Sequence, residues 1–333
     1  MQTQTLILNS ERNVTLTACL QAVGGSFSNI PRRPAIVILP GGGYQYCSDR
    51  EADPVAFAYL KAGFQTFILR YSVGKDAVWP NPLEDYEQAM ELIRANADRW
   101  NVWPDKIAVI GFSAGGHLAA AAATMSRNRP NAAILGYAVA DEDVKGCNPT
   151  APGAVAAVDE NTCPCFLFAT RNDAIVPVEN TVNFMQALVR AGVTFESHIY
   201  SHGPHGFSTG DSSVQKSGEP ISPRVPNWVD DSIGWLRDVL GDFGEGAMTP
   251  PQCARRINGD CEPFLSAGCT VGCLLKNERA RKLLPELVQR EKEMGGDAAL
   301  LHKMTLQGLY SFLKVPETVI EALDARLQEI PNI

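Results

Sequence analysis

Apolar, β-branched runs alternate with amphipathic stretches from the start of the chain to about residue 241. Several runs are apolar throughout, as strands that are covered on both faces must be. The runs that predict strands are AIVIL (35–39), FQTFILRY (64–71), KIAVIG (106–111), AAILGYA (132–138), CFLFAT (165–170) and FESHIY (195–200). Helical patterns lie between them, at 82–100, 113–125 and 179–192. The alternation predicts an α/β fold, with a mostly parallel central sheet and helices on both faces.

The pattern changes after Gly241. Residues 242–252 are rich in glycine and proline, which predicts a linker. Beyond it the apolar residues recur at helical spacing, near 277–293, 298–312 and 316–329. The chain is therefore expected to have a main domain over 1–241, the linker, and a small helical domain over 253–333 with no assigned role.

Composition narrows the classes of partner. The chain has 333 residues and a formal net charge of −8, and an acidic surface repels phosphate backbones, so nucleic acid is not expected. No apolar run approaches the length of a membrane span, so no membrane partner is expected. The N-terminus lacks the basic patch and long apolar stretch of a signal peptide. With nine cysteines and no tidy framework, reduced thiols and a cytoplasmic location are predicted.

The strongest chemical signal is VIGFSAGGHL (109–118), which contains a G-x-S-x-G motif around Ser113. The motif follows a predicted strand and opens a predicted helix, the context that a nucleophile elbow requires. A sharp turn exposes the serine oxygen above the sheet, and the flanking glycines relieve crowding. The N–H of Ala114 and the positive end of the helix point at the same place. The sequence therefore predicts a nucleophilic serine, and the alternative is a glycine-rich turn that only packs.

A second glycine-rich stretch, ILPGGGYQY (38–46), follows a buried predicted strand. Bare glycine N–H groups can approach a substrate carbonyl closely, and each donor aimed at a developing oxyanion contributes about 3 kcal/mol. A phosphate cradle is poorly supported, because no Lys-Ser/Thr pair follows the glycines and there is no G-x-G-x-x-G with a downstream acid. The stretch predicts an oxyanion loop, with a plain tight turn as the alternative.

A serine nucleophile needs a base, and the base needs an acid that orients it. In the fold expected here the chain order is serine, then acid, then histidine. Asp173 follows the predicted strand CFLFAT, and the next predicted strand leads into SHGPHGF, which holds His202 and His205. Either histidine fits the order. A His-x-x-His metal clamp is disfavoured, because the Gly-Pro pair between the histidines breaks any helix that would space them.

Four stretches together resemble a known family: PGGGY, RANADRWNVWPDKIAVIGFSAGGHLAA, RNDAIVPVENT and GPHGFS. They look like the α/β-hydrolase esterases related to acetyl-xylan esterases and bacterial carbohydrate acetyl esterases, a branch related to hormone-sensitive lipase. The resemblance covers roughly residues 30–240 and implies the α/β-hydrolase fold. The helical C-terminal segment is not part of it.

The resemblance implies roles for individual residues. In the family, the motif serine, the Asp of D-x-x-V-P and the His of G-x-H-G form the catalytic triad, and the matching residues are Ser113, Asp173 and His205. Pro40 stands where hormone-sensitive-lipase relatives carry a histidine before their glycines, as in the acetyl-esterase branch. The implied oxyanion donors are the N–H groups of Gly42, Gly43 and Ala114.

Three further groups of residues carry open expectations. His117 is predicted to be a hydrogen-bonded core residue, because it lies in a buried helix. Tyr44, Tyr46 and Trp79 are expected to bind substrate, with packing in the core or lid as an equal alternative. The default for the C-terminal cysteines is free thiols, with a structural zinc site as the alternative, and the residues concerned are Cys253, Cys261, Cys269 and Cys273.

These features predict a serine esterase that hydrolyses short-chain, acetyl-type carboxylic esters with no metal or other cofactor. The resemblance extends the expected substrates to acetylated xylo-oligosaccharides and other sugars. A related amide or peptide hydrolase, of the arylformamidase or exopeptidase kind, is the first alternative. A catalytically silent binding or scaffold module is the alternative from another class. The expected partner is a small-molecule ester or an acetylated oligosaccharide, and a homo-oligomer stays open.

Overall fold

The computed structural model describes residues 1–215 and 218–332, which divide into two compact units, Met1–Arg255 and Arg256–Ile333. The first unit holds eight strands: β1 (Gln2–Asn9), β2 (Val14–Leu20), β3 (Arg33–Leu39), β4 (Gln65–Arg70), β5 (Val102–Phe112), β6 (Ala132–Gly136), β7 (Cys165–Thr170) and β8 (Phe195–Tyr200). Its described helices are α1 (Asp53–Lys61), α2 (Asn81–Ala95), α3 (Ala97–Trp100), α4 (Ala114–Thr124), α5 (Glu179–Arg190) and α6 (Asn227–Leu240). The strands form one sheet in the order β1-β2-β4-β3-β5-β6-β7-β8.

The prediction of a mostly parallel sheet is confirmed. Strands β3 to β8 pair in parallel with one another, and all six predicted strands are present. In the register of the central strands, Val37 of β3 lies between Phe67 of β4 and Val109 of β5. Strand β3 is buried at every position, which is why its sequence is apolar without alternation. The carboxyl ends of these strands share one edge of the sheet, where α/β folds place their sites.

Helices cover both faces of the sheet, and side chains of β3 point alternately to the two. Val37 belongs to one core, which α2, α4 and α5 cover, whereas Ile38 belongs to a second core, which α1 and α6 cover. Alternation of this kind follows from the two-residue repeat of a strand. Within residues 1–215 and 218–332, no helix combines the length and the apolar character needed to cross a membrane.

The N-terminal edge of the sheet was not predicted. Strands β1 and β2 form an antiparallel hairpin, and β2 pairs antiparallel with β4. The edge strand β1 alternates exposed and half-buried positions, so it contains no unbroken apolar run of the kind that marks the central strands. An antiparallel pair at the edge of an otherwise parallel sheet is common in large α/β folds.

The second unit is built from short helices: α7 (Val271–Leu274), α8 (Glu278–Leu283), α9 (Pro285–Met294), α10 (Ala299–Lys303), α11 (Leu306–Phe312) and α12 (Glu317–Leu327). They enclose an apolar core of their own, which includes Leu274 and Leu306. Two of the three helices predicted here are interrupted. The first breaks before Pro285, because proline disfavours helical backbone in the residue that precedes it. The second breaks at Thr305, whose side chain caps a new helix.

The division between the units lies after Arg255, beyond the predicted linker over 242–252. That stretch belongs to the first unit and folds back on the end of α6. The N–H of Thr249 donates to the carbonyl of Asp242, and the N–H of Gln252 donates to the carbonyl of Asp238. Glycine and proline here therefore form turns against the sheet domain. Turns and flexible linkers share this composition, so composition alone does not separate them.

Candidate active site

Ser113 occupies the turn between β5 and α4, at the carboxyl edge of the sheet. Its backbone has φ 54° and ψ −118°, a conformation that side-chain-bearing residues rarely adopt. Strained backbone of this kind persists only where the surrounding structure enforces it, and it is concentrated at functional sites. The predicted strand, sharp turn and helix around the G-x-S-x-G motif are all present.

The two glycines of the motif are required by close backbone contacts. A Cβ atom at Gly111 would lie 2.0 Å from the carbonyl oxygen of Gly115. A Cβ atom at Gly115 would lie 2.1 Å from the carbonyl oxygen of Leu39, in the neighbouring strand β3. Real side chains never approach backbone this closely, so any larger residue at either position would push α4 away from the sheet. The two glycines of the motif therefore allow α4 to pack against the sheet directly after Ser113.

The structure brings the three predicted triad residues together. Asp173 follows β7 and His205 follows β8, so both approach from the carboxyl ends of neighbouring strands. The Nδ1 atom of His205 lies 2.7 Å from Oδ2 of Asp173, and its Nε2 atom lies 2.9 Å from Oγ of Ser113. The Asp173 side chain is 1% exposed, and its Oδ1 atom accepts N–H bonds from Ile175 and Val176. With its proton on Nδ1, the imidazole can donate to Asp173 and accept from Ser113.

The second histidine of SHGPHGF lies outside this arrangement. His202 is exposed, and its Nδ1 atom is 3.1 Å from Oγ of the neighbouring Ser201. His205 is held differently, because Phe207, two residues further on, is fully buried in the core. Sequence spacing alone leaves the two histidines equivalent, and the buried anchor beside His205 separates them.

The predicted oxyanion loop follows β3 and has the backbone that its glycines permit. Gly42 and Gly43 have φ 130° and 61°. A Cβ atom at Gly42 would lie 2.1 Å from the carbonyl oxygen of Tyr46, so only glycine fits there. The loop packs against the nucleophile, since a Cβ atom at Gly41 would come within 3.1 Å of Cβ of Ser113. Gly41, at the start of the loop, thus lies beside the serine.

A buried carboxylate next to this loop was not predicted. Glu51 is 4% exposed, and its Oε2 atom accepts the N–H of Gly41 at 2.8 Å. Its Oε1 atom accepts the hydroxyl of Tyr137 at 2.6 Å. Burial raises the pKa of Glu51, and these hydrogen bonds and the nearby His205 oppose that rise. In the sequence Glu51 stands among the charged residues of SDREADP, a pattern typical of a solvated turn, so nothing marks it as buried.

Tyr44 is corrected from a substrate-binding residue to a core residue. Its side chain is fully buried, and its hydroxyl donates to Nδ1 of His117 at 2.6 Å. The Nε2 atom of His117 donates in turn to the carbonyl of Pro152 at 2.8 Å. Burial lowers the pKa of His117 to about 4, so the ring is neutral near pH 7. The prediction that His117 is a hydrogen-bonded core residue is confirmed.

The other two aromatic residues expected near substrate differ in exposure. Tyr46 is 61% exposed at the end of the oxyanion loop. Trp79 is half-buried, and its ring meets the His117 ring edge-on with 5.5 Å between centroids. Both keep surface that a ligand could contact, which Tyr44 does not. Their role in substrate binding stays a prediction.

The four cysteines of the cysteine-rich stretch are divided between the two units. Cys253 packs in the first unit, whereas the other three belong to the second. There, the thiols of Cys269 and Cys273 and the carboxylate of Asp260 lie within 4.8 Å of one another. The hydrogen bond from Cys273 lowers the pKa of Cys269 to about 7. Both carboxylate oxygens of Asp260 accept hydrogen bonds from Thr270, so the cluster is tied together locally.

Two protein-family models match the chain, and each covers a different part of the candidate site. The model described as BD-FAE matches residues 28–146, which contain the oxyanion loop and Ser113. The model of the prolyl oligopeptidase family matches residues 145–220, which contain Asp173 and His205. Together the two matches cover the candidate site.

Curated proteins that are similar to the chain include a xylanase and an acetylxylan esterase. An endo-1,4-beta-xylanase B of Butyrivibrio fibrisolvens is 31% identical over 53% of this chain and 33% of its own length. An acetylxylan esterase of Xylanibacter ruminicola is 32% identical over 60% of this chain and 46% of its own length. The chain therefore spans less than half the length of these two relatives.

Among solved structures, an α/β hydrolase enzyme from a Medee basin deep-sea metagenome library has 43% sequence identity and a TM-score of 0.68, over 72% of this chain and 98% of that one. An acetyl ester-xyloside bifunctional hydrolase from Caldicellulosiruptor lactoaceticus has 27% identity and a TM-score of 0.61, over 71% and 95%. With this likeness and the fold described above, the chain belongs to the α/β-hydrolase family. Its relatives within that family are esterases and other hydrolases, which confirms the predicted class of enzyme at that level.

Proposed function

We propose that the chain is a serine esterase that hydrolyses short-chain, acetyl-type carboxylic esters. The observation that carries the proposal is the pair of contacts made by His205, 2.7 Å to Asp173 and 2.9 Å to Ser113. Nucleophile, base and orienting acid are thus in line before any substrate is bound. The strained turn at Ser113 and the glycine loop beside it add support.

In the acylation step, Oγ of Ser113 attacks the ester carbonyl while Nε2 of His205 takes the serine proton. The C–O bond to the alcohol then breaks, and the imidazolium returns the proton to the leaving oxygen. Asp173 accepts the Nδ1 proton in a hydrogen bond, which fixes the tautomer and stabilises the imidazolium. Because two backbone N–H groups hold the other oxygen of Asp173, the carboxylate cannot turn away.

The negative charge that develops on the carbonyl oxygen of the substrate needs hydrogen-bond donors to stabilise it. Glu51 already takes the N–H of Gly41, so the following N–H groups, of Gly42 and Gly43, are assigned to the oxyanion together with that of Ala114. Ala114 begins α4, whose positive end adds to the field there. In deacylation, His205 takes a proton from a water that attacks the acyl carbon. The bond from that carbon to Oγ of Ser113 then breaks, the carboxylic acid leaves, and His205 returns the proton to Oγ.

We propose acetylated xylo-oligosaccharides, or other acetylated sugars, as the substrate class. The support is the names of the relatives, which include an acetylxylan esterase, a xylanase and an acetyl ester-xyloside hydrolase. The half-buried Trp79 and the exposed Tyr46 supply aromatic surface of the kind on which sugar rings pack. These two side chains are the proposed substrate contacts.

The experiment that tests the proposal compares the wild type with Ser113→Ala on p-nitrophenyl esters of graded acyl length and on acetylated xylo-oligosaccharides. We expect acetyl esters to be turned over fastest, and Ser113→Ala to lose activity by about 10⁴-fold or more. The matched control is Ser212→Ala, which removes the same hydroxyl from an exposed serine and should change nothing. Substantial turnover by Ser113→Ala would refute the serine mechanism.

An amide or peptide hydrolase is a second candidate, because the model of the prolyl oligopeptidase family matches residues 145–220. The same triad and oxyanion hole serve amide cleavage, so the chemistry of the leaving group must decide. Matched acetyl p-nitroanilides and acetyl p-nitrophenyl esters make that comparison. Ester turnover well above amide turnover supports the esterase, the reverse order supports the second candidate, and a wild type inactive on both supports a silent module.

A further inference from the structure

We propose that Glu51 is a positioning residue of the reaction, which holds the oxyanion loop and the histidine loop in one arrangement. The inference rests on the esterase mechanism proposed above. It assigns to Glu51 a positioning role that neither the triad nor the oxyanion donors supply. Its basis is one buried carboxylate with two hydrogen-bond donors, Gly41 in one half of the site and Tyr137, which contacts the other half. The two halves are the oxyanion loop of residues 41–43 and the histidine loop of residues 205–208.

The first connection fixes the oxyanion loop. Oε2 of Glu51 accepts the N–H of Gly41 at 2.8 Å. Gly41 has no room to shift toward the elbow, because a Cβ atom there would lie 2.7 Å from the carbonyl oxygen of Phe112 and 3.1 Å from Cβ of Ser113. The loop is therefore held between the nucleophile turn on one side and the carboxylate on the other. The direction of the next two N–H groups follows from that placement.

The second connection fixes the histidine loop. Oε1 of Glu51 accepts the hydroxyl of Tyr137 at 2.6 Å, and the same hydroxyl oxygen accepts the N–H of Ser208 at 3.0 Å. The ring of Tyr137 meets the ring of His205 edge-on, with 5.1 Å between centroids. Tyr137 thus contacts the base through its ring and the base's loop through its hydroxyl. Ser208 also donates its own hydroxyl to the carbonyl of Arg50, next to Glu51.

The charge of Glu51 is part of the proposed role. The titratable or charged groups that face its carboxylate are Arg50, His205, Tyr137, Tyr71 and Cys47. A protonated His205 favours the anionic form of Glu51, and by reciprocity the anion favours the imidazolium that forms during proton transfer. Asp173 supplies the direct partner, and Glu51 supplies a second negative charge behind Tyr137.

Another buried glutamate serves as a matched control. Glu87, in α2, is 6% exposed and accepts hydrogen bonds from Oγ of Ser126 and N–H of Arg127, both at 2.9 Å. It also pairs with the Arg127 guanidinium. Its partners lie in the turn after α4, at the opposite end of that helix from Ser113. Glu87→Gln therefore removes a buried charge and disturbs buried hydrogen bonds without touching either loop of the site.

The test compares Glu51→Gln, Tyr137→Phe and Glu87→Gln with the wild type on p-nitrophenyl acetate, with kcat, KM and the pH profile of kcat/KM measured for each. Glutamine has one acceptor oxygen, so Glu51→Gln breaks one of the two connections and removes the charge. We expect its kcat to fall about 10-fold or more, with KM within about twofold of the wild type. Loss of the anion should move the acid limb of kcat/KM to lower pH, because a second negative charge behind Tyr137 no longer favours the imidazolium form of the base.

Tyr137→Phe keeps the ring against His205 and cuts the link to Ser208, so its kcat should also fall. Glu87→Gln should lose thermal stability and keep the wild-type kcat and pH profile. A wild-type kcat and pH profile in folded Glu51→Gln would overturn the proposal, as would equal kcat losses in Glu51→Gln and Glu87→Gln. If either of these results is found while Ser113→Ala is inactive, only the role of Glu51 is refuted and the esterase proposal stands. If Ser113→Ala is active, the esterase mechanism itself is refuted.

Discussion

The carboxyl edge of the sheet and the helical unit Arg256–Ile333 handle polar groups in opposite ways. At the sheet edge, buried polar side chains face one another, and every one that the proposed mechanism uses is oriented by at least one hydrogen bond, as Asp173 and Glu51 are. In the helical unit the interior is an apolar cluster, and polar side chains such as Thr270 and Thr305 cap helix starts at its margin. In the first region the packing orients reactive groups, and in the second it buries apolar side chains, mostly leucine.

Backbone strain separates the same two regions. The sheet edge carries the positive φ of Ser113 and Tyr44, residues for which this backbone is unfavourable by about 1–3 kcal/mol each. The hydroxyl of Tyr44, held by His117, is one of the contacts that enforce it. In the described part of the helical unit, the side-chain-bearing residue with positive φ is Lys314, just after α11, where left-handed backbone is common. Strain therefore accompanies chemistry in the first region and helix termination in the second.

The largest effect that would sharpen this contrast is expected at the two histidines of SHGPHGF. His205→Ala removes the base and should lower kcat on p-nitrophenyl acetate by about 10⁴-fold. His202→Ala changes the same side chain three residues earlier, at an exposed position bonded only to Ser201 among the described side chains, and should leave kcat within about twofold. Steady-state kinetics of the two variants measure the difference.

Equal losses of kcat in the two variants would contradict the distinction between the histidines. Such a result would mean that His202 and His205 act together in the site. Circular dichroism of each variant shows whether it is folded, so that a loss of activity in His205→Ala can be ascribed to chemistry. The comparison needs no knowledge of the natural substrate, because both variants are measured on one ester.

Much of the sheet edge could be predicted because its sequence signals are local. The strand, turn and helix around Ser113 must carry glycine at two places for steric reasons, and those glycines are visible in the sequence. Asp173 and His205 follow from chain order and the family resemblance. Glu51 could not be predicted, because its partners, Gly41 and Tyr137, come from separate segments and its own segment is charged like a solvated turn. The choice between a substrate contact and core packing for Tyr44 stayed open for the same reason, since its partner lies in α4.

In the helical unit the periodicity predicts helices but not where they break. The interruptions at Pro285 and Thr305 depend on single residues inside an otherwise continuous apolar pattern. The bridge between Thr270 and Thr305, which ties the starts of α7 and α11 together, is a tertiary contact that no local pattern shows. The approach of Cys269 and Cys273 to Asp260 is likewise set by the turns between helices.

An intermediate effect is expected in the core of the helical unit. Leu306 is fully buried at the start of α11, so Leu306→Ala should destabilise this unit by about 2–5 kcal/mol through lost burial and a cavity. Leu300→Ala removes the same side chain at a position that is 73% exposed and should cost under about 0.5 kcal/mol. Hydrogen exchange of peptides from residues 256–332 measures the change in this unit alone.

Because Leu306 belongs to the apolar core of the second unit, kcat on p-nitrophenyl acetate should stay within about twofold of the wild type in both leucine variants. If kcat falls together with the protection of the helical unit against hydrogen exchange, the active site is not independent of that unit. The organisation of the active site would then depend on the folding of the second unit.

The smallest effect is expected at a helix cap. The hydroxyl of Thr305 accepts the N–H of Gly308 at 3.1 Å and satisfies one of the free donors at the start of α11. Thr305→Ala should cost about 1 kcal/mol in the exchange experiment, whereas Thr305→Ser keeps the hydroxyl and should cost a few tenths. If both variants lose the same stability, the methyl group of Thr305 rather than its cap is what matters, and the unit relies on apolar contact even at its margin. If only the alanine variant loses stability, the hydroxyl of Thr305 acts on the helix start, in contrast to the polar side chains of the sheet edge, which act on one another.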